Sequence, residues 1–121
     1  MYDIIEMTSY TYLKAAVILV MVDMFWLLTG GIYGRNIIER IQGSPIHFRF
    51  IGGIIVYAAL AHLLLQTTSM TNAFITGVMI YAVYDFTNYA VFDNYDWKFA
   101  IADSLWGGVL FVGARHLLKA F

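Results

Sequence analysis

Four apolar segments occupy almost the whole chain and constrain its fold more than any other feature. They cover residues 12–34, 48–66, 71–92 and 97–118, and the connections between them are short. A helix needs about 20 apolar residues to cross the hydrocarbon core of a bilayer, so each segment has the length of one transmembrane helix. We therefore predict that residues 1–121 form a single transmembrane domain, an all-α integral membrane four-helix bundle with short connections.

The composition indicates the same environment and excludes several classes of function. Hydrophobic residues make up 61% of the chain and charged residues only 12%, whereas about 25% charged residues are typical of a soluble domain. A net charge of −1 offers no basic surface for nucleic acid. The absence of cysteine excludes disulfides, thiolate catalysis and metal sites with sulfur ligands. We therefore expect a multi-pass protein that has the lipid bilayer as its partner and binds no nucleic acid.

The first apolar segment is flanked by two stretches that suit the membrane interface. Residues 1–13 are rich in tyrosine, and the connection after the segment carries several basic residues, with a short helical turn expected at 36–41. Gly30 and Gly34 stand four residues apart near the end of the segment, a spacing at which helices pack closely. Lysine and arginine are divided almost equally between the two predicted sides, so they do not predict the orientation.

Three aspartates lie inside the predicted helices and are the most informative residues for function. Asp23 belongs to the first helix, Asp85 to the third and Asp103 to the fourth. A charged side chain at the bilayer centre costs about 3 kcal/mol or more, so we expect all three to face the bundle interior. Counted from the turn at 93–96, the helical rise places Asp85 and Asp103 at the same depth, roughly 8–13 Å, and Asp23 deeper, near the midplane.

Helical spacing indicates which residues accompany these acids, because residues three and four positions apart share one face of a helix. The companions are small, aromatic or polar: Tyr81 and Asn88 with Asp85, Trp106 and Gly107 with Asp103, and Trp26, Gly30 and Gly34 with Asp23. His62 on the second helix is expected at a depth similar to or slightly greater than that of Asp23, and either His62 or a tyrosine is the candidate hydrogen-bond partner of Asp23. The sequence thus predicts a staggered polar ladder inside the bundle.

The order of the motifs resembles that of a known family. Asp23-x-x-Trp26 is followed by Tyr84-Asp85-Phe86-Thr87-Asn88 and then by Asp103-x-x-Trp106-Gly107. From end to end, this order resembles a widespread family of small, uncharacterised four-helix membrane proteins from bacteria and from large DNA viruses that infect algae. The resemblance implies the fold and the importance of the motif residues, and it implies no established activity.

The acids favour one class of function, in which they bind or conduct a cation or protons as part of a channel or transporter. No lysine or arginine inside the predicted membrane region is placed to neutralise them, so a mobile cation or a proton is the natural partner. The candidate residues are Asp85, Asp103, Asn88, Asp23 and Thr87 for binding, His62, Tyr81, Tyr84, Trp26 and Trp106 in support, and Gly30, Gly34 and Gly107 for packing. A bound cation is the only cofactor that the sequence suggests.

Two other classes of function stay open. A lipid-modifying intramembrane enzyme would use paired carboxylates as acid and base or to hold a metal, but the sequence shows no nucleophile beside a base and no zinc-like histidine set. A structural or assembly component of a viral or cellular membrane would use the acids only to fix the helices in register. Since a four-helix unit leaves little interior for a pathway, we expect a homo-oligomer.

The protonation of Asp85 and Asp103 follows from their expected position. Two carboxylates that face each other in a medium of low dielectric constant cannot both stay ionised, because desolvation and mutual repulsion both disfavour the charged forms. We therefore expect the pair to hold at least one proton at neutral pH unless a metal cation lies between them.

Overall fold

The computed structural model describes residues 2–121, with side chains from Thr8 onward. This part of the chain is all-α, as expected, and has five helices and no strand: α1 (Tyr2–Leu27), α2 (Gly31–Gln42), α3 (Phe50–Leu65), α4 (Met70–Val91) and α5 (Trp97–Ala120). The stretch that we expected at the interface, residues 1–13, is helical from Tyr2 onward. The side chains of residues 1–7 lie outside the described part.

The chain departs from the predicted first helix, 12–34, because α1 ends at Leu27 and a separate helix begins at Gly31. Glycine is a poor helix former, and Gly30 and Gly31 follow each other at this break. A Cβ atom at Gly30 would collide with the indole ring of Trp26, and one at Gly31 would meet the Trp26 carbonyl oxygen at 2.9 Å. The short helical turn expected at 36–41 is therefore part of a helix of 12 residues.

Within the described residues, one segment, Thr8–Leu27, is both long enough and apolar enough to cross a membrane. The helix α3 is also apolar but has only 16 residues. The helices α4 and α5 have 22 and 24 residues, which corresponds to about 33 and 36 Å of helix. Asp85 and Asp103 lie within them and lower their hydropathy.

The helices α4 and α5 pack closely as an antiparallel hairpin around the turn at residues 92–96. Gly77 and Gly107 face each other at the point of closest approach, where a Cβ atom on either glycine would collide with the carbonyl oxygen of the other. Gly108 is covered in the same way by the side chains of Phe74 and Val78. The contact between Gly77 and Gly107 therefore sets the register of the hairpin.

The helix α1 contacts both α3 and α5, and the main core lies between them. This core consists of small and aliphatic residues, one phenylalanine and one tryptophan: Ala15, Leu19, Leu60, Ala61, Leu64, Ala73, Trp106, Leu110, Phe111 and Ala114. A second, smaller core of Ile37, Tyr95 and Ala100 holds α2 against the end of the bundle at the 92–96 turn. The outer faces of α1, α3 and α4 expose many large apolar side chains, a surface that monomeric soluble proteins rarely present.

The glycine contact generates a prediction about stability. Gly77→Ala and Gly107→Ala place a methyl group against a backbone carbonyl, and such overpacking costs about 1–3 kcal/mol. Gly113→Ala is the matched control, because its Cβ atom would meet Val22 at an ordinary distance of 3.8 Å. We expect the first two variants to unfold at lower temperature in a mild detergent and the control to match or exceed the wild type. Equal melting of all three variants would contradict the close approach of α4 and α5.

Candidate functional site

The three aspartates of the sequence analysis lie in the interior of the bundle. Asp85 is 0% exposed, Asp23 5% and Asp103 8%. Asp103 lies within electrostatic range of both other carboxyl groups. We call these three residues the acid cluster.

Asp85 and Asp103 face each other across the α4–α5 hairpin, as predicted, and their side chains are within hydrogen-bond reach of each other. The contacts of Gly77 agree with this pairing, since a Cβ atom there would meet both the Gly107 carbonyl oxygen and the Phe111 Cβ atom. Asp23 is one helical turn deeper than Asp103, although it lies near the end of α1 and not at its middle.

Asp23 and Asp103 are joined by two crossed hydrogen bonds to tryptophans. Trp26 Nε1 donates to Asp103 Oδ1 at 2.7 Å, and Trp106 Nε1 donates to Asp23 Oδ1 at 2.8 Å. The two indole rings stack with their centroids 5.4 Å apart and an angle of 11° between their planes. Each antiparallel helix carries one Asp-x-x-Trp sequence, so each tryptophan meets the acid of the other helix. We call this arrangement the Asp–Trp clasp.

Two tyrosines that the sequence analysis did not identify complete the hydrogen bonding of the acid cluster. The Tyr57 hydroxyl of α3 donates to Asp23 Oδ2 at 2.5 Å, and the Tyr95 hydroxyl of the 92–96 turn donates to Asp85 Oδ1 at 2.7 Å. A tyrosine within an apolar helix needs a partner for its hydroxyl, and this signal could have indicated Tyr57. Tyr95 lies outside the helical faces on which the prediction depended.

Tyr95 is held as a neutral hydrogen-bond donor. It is buried under α2 beside Ile37, and burial, the hydrogen bond to Asp85 and the charge of that carboxyl group raise the pKa of the Tyr95 hydroxyl above its ordinary value. The phenol therefore keeps its proton at neutral pH.

One buried carboxyl oxygen of the acid cluster receives no hydrogen bond from a tryptophan or tyrosine. Among the side chains that the structure describes, no donor group hydrogen-bonds to the buried Asp85 Oδ2, and the neighbouring carboxyl group is that of Asp103. Tyr81, on the same helix, lies within electrostatic range of all three acids. A proton on one of the two facing carboxyl groups supplies the O–H group that donates to the other, so Asp85 and Asp103 can hydrogen-bond to each other when they share one proton.

The remaining predicted residues are distributed unevenly around the cluster. Asn88 is half-buried and interacts with the hydroxyls of Tyr84 and Tyr95, whereas Thr87 and Tyr84 are exposed on the outer side of α4. Gly34 packs against Phe99 and Gly30 against Trp26, so this glycine pair contacts aromatic rings and not another helix backbone.

His62 does not lie beside Asp23, contrary to the prediction. Its Nδ1 atom is 2.6 Å from the Tyr12 hydroxyl at the opposite end of the bundle. The predicted depth was wrong because α1 ends at Leu27 and not at residue 34, so Asp23 lies near the end of the bundle that carries the 92–96 turn.

The chain was also compared with known proteins. A family model described as "Predicted membrane protein (DUF2177)" matches residues 8–114. The chain belongs to this family. The match includes the three aspartates and both tryptophans of the clasp, and it confirms that the chain resembles a family of membrane proteins. No curated protein and no solved structure matches the chain.

The Asp–Trp clasp predicts a loss of stability when either indole is replaced. Trp26→Phe and Trp106→Phe keep an aromatic ring but leave a buried carboxyl oxygen without its donor, which costs about 1–3 kcal/mol. Trp97→Phe is the control, because Trp97 is exposed at the start of α5. We expect both clasp variants to melt below the control in the same detergent. If all three melt together, the crossed hydrogen bonds do not stabilise the fold.

Proposed function

We propose that this chain is a multi-pass membrane protein that transports protons through its acid cluster. The observation that carries the proposal is the buried Asp85 Oδ2 atom, which has no described donor, in a cluster whose four hydrogen-bond donors are all uncharged indole or phenol groups. Membership of a predicted membrane protein family supports the membrane part of the proposal.

The charge of the cluster requires a positive partner. Three ionised carboxylates in a buried site would repel one another and lose their hydration, and neutral donors compensate only part of that cost. Either a proton or a metal cation can restore the balance.

The ligands favour a proton over a metal ion. Calcium takes about 6–8 oxygen ligands, whereas four of the six carboxyl oxygens already accept hydrogen bonds from tryptophan or tyrosine. Within the described residues, no group of three histidine, cysteine, aspartate or glutamate side chains is placed to hold a metal ion. A proton needs a single free oxygen, and Asp85 Oδ2 supplies one.

The order of the acids suits stepwise proton transfer. The side chains of Asp85 and Asp103 are within hydrogen-bond reach of each other, and Asp23 lies about one helical turn further from the 92–96 turn than Asp103. The hydroxyl of Tyr81 lies near all three and can both donate and accept a hydrogen bond, unlike an indole N–H, which only donates. Buried carboxylates arranged in this way are typical of proton relays in membranes.

Asparagine substitutions in the acid cluster test the proposal. We expect Asp85→Asn and Asp103→Asn each to abolish proton flux and to leave the fold intact, because an amide oxygen still accepts from Tyr95 or Trp26 but cannot release a proton. Flux is measured in liposomes with an internal pH-sensitive dye under an imposed potassium diffusion potential. Asp93→Asn and Asp96→Asn in the turn are the controls; Asp96 caps α5 through the Lys98 amide, and asparagine caps a helix equally well.

Each outcome of this experiment separates the classes of function. Wild-type proton flux in both Asp85→Asn and Asp103→Asn would end the transport proposal, and unchanged stability as well would favour a structural role for the acids. A flux of sodium or calcium without protons would assign the cluster to a metal ion. A new lipid product formed by the purified protein would favour an intramembrane enzyme.

We further propose that α1, α3, α4 and α5 each cross the membrane and that α2 lies at its surface. The helix α2 buries Ile37 and exposes Arg35 and Arg40, as an interfacial helix does. Four crossings put the 66–69 connection and the 92–96 turn on opposite sides of the membrane. Labelling of Thr68→Cys and Asn94→Cys with a membrane-impermeant maleimide from each side tests this arrangement.

We also propose that the protein forms a homo-oligomer. The outer faces of α3 and α4 expose apolar side chains, and Gly52 on α3 has open space beside it, so a second copy can approach closely. The expected result is a mass of at least two chains in nanodiscs. A monomeric mass in nanodiscs and in several mild detergents would contradict it.

A further inference from the structure

Two separate sets of hydrogen-bonded side chains lie towards opposite ends of the bundle. The acid cluster lies towards the 92–96 turn, whereas Tyr12 and His62 pair at the other end, with the hydroxyl 2.6 Å from Nδ1 and the ring centroids 5.8 Å apart. Tyr12 precedes Asp23 by 11 residues on the same helix, a separation of about 16 Å along its axis. This distance is too long for direct proton transfer between the two sets.

An apolar layer separates them. Its members are fully or almost fully buried and come from three helices: Leu19 on α1, Leu60 on α3, and Leu110 and Phe111 on α5. Between Tyr57 and His62 every residue of α3 is apolar, and α5 carries only apolar residues and glycine from Gly107 to Ala114. We call these four side chains the apolar layer. Such constrictions gate membrane pathways by excluding water.

Two of the basic residues at the Tyr12 end, Lys14 and Arg115, are held by other groups, whereas His116 and Lys119 are exposed on α5. Lys14 Nζ donates to the Leu118 carbonyl oxygen, and Arg115 Nη1 donates to the carbonyl and hydroxyl oxygens of Thr67. Among the described side chains, Tyr12 hydrogen-bonds to the His62 ring. The His62 side chain is exposed. Histidine is the side chain best suited to exchange protons with water near neutral pH.

We propose that Tyr12 and His62 form a second proton-binding site at the end opposite the acid cluster, and that the apolar layer is the gate between the two. This inference rests on the proposed function. When water enters the layer, a proton leaves an N–H group of the His62 imidazolium, passes along the water molecules and ends as an O–H group on the carboxylate of Asp23. Transfer in the other direction reverses these steps, and no further reactant is needed.

Cysteine labelling tests the layer without any measurement of transport. The chain contains no cysteine, so single-cysteine variants give an unambiguous signal. We expect a membrane-impermeant maleimide to label Thr68→Cys from one side and Asn94→Cys from the other, and to label Leu110→Cys from neither. If Leu110→Cys is labelled as fast as Thr68→Cys or Asn94→Cys, water reaches the apolar layer, and the proposal that this layer is a gate is wrong.

Flux measurements in liposomes test the second proton site and the gate together. His62→Gln keeps an acceptor for the Tyr12 hydroxyl but cannot carry the proton, so we expect proton flux to fall about a hundredfold, within the range for loss of a proton-transferring group. Leu110→Ala opens space in the apolar layer and should raise the flux. Leu105→Ala is the matched control, because the same substitution falls on the same helix at a residue that is 51% exposed and not 0%.

The outcomes distinguish this inference from the proposed function. Wild-type flux in His62→Gln overturns the second site, and equal flux in Leu110→Ala and Leu105→Ala overturns the gate. If Leu110→Ala does not fold, Leu110→Val replaces it with a smaller loss of volume. The absence of proton flux in the wild type overturns the proposed function and the second site together, whereas labelling of Leu110→Cys overturns the gate alone.

Discussion

The crossed hydrogen bonds of the Asp–Trp clasp fix the arrangement on which the rest of the bundle depends. An indole N–H group donates to a buried carboxyl oxygen in each of the two bonds. A shift of α1 against α5 by one residue would break both bonds and leave the Oδ1 atoms of Asp23 and Asp103 without donors. Such a shift would be costly because each orphaned buried charge loses its compensation. The positions of α2 and α3 depend on this pair of helices, α1 and α5. Tyr57 attaches α3 to Asp23, and the Trp26 side chain lies against the glycines where α1 gives way to α2.

Hydropathy predicted the positions of three helices closely and failed at one boundary. The segments 48–66, 71–92 and 97–118 correspond to α3, α4 and α5 to within two residues, because charged or polar turns interrupt the apolar sequence at each of their ends. No such interruption marks the end of α1. Ile32 and Tyr33 continue the apolar run beyond Gly30 and Gly31. Hydropathy therefore does not show the break between α1 and α2, which the two glycines and the packing of Trp26 produce.

The acid cluster was predictable in its members and not in its geometry. The cost of a charge in lipid was sufficient to predict that Asp23, Asp85 and Asp103 face inward, and all three are buried. Two of their donors lie outside the helix faces that carry the acids: Tyr57 is on α3, which has no aspartate, and Tyr95 is in the 92–96 turn. His62 was assigned to the wrong end because α1 ends at Leu27 and not at residue 34.

The choice of donors explains why this cluster suits a proton. An arginine or lysine beside the acids would hold one of them ionised permanently, whereas tryptophan and tyrosine supply hydrogen bonds without charge. The acids then differ by how many of their oxygens are occupied. Asp23 accepts on both oxygens, so a proton added there must displace a donor. Asp85 and Asp103 each accept from a donor group on Oδ1 alone, so this facing pair can take up a proton while every existing hydrogen bond stays intact. On the proposed function, protons therefore enter the cluster at the Asp85–Asp103 pair, on the side of the turn that carries Tyr95, and leave it only when the hydrogen bonds around Asp23 rearrange.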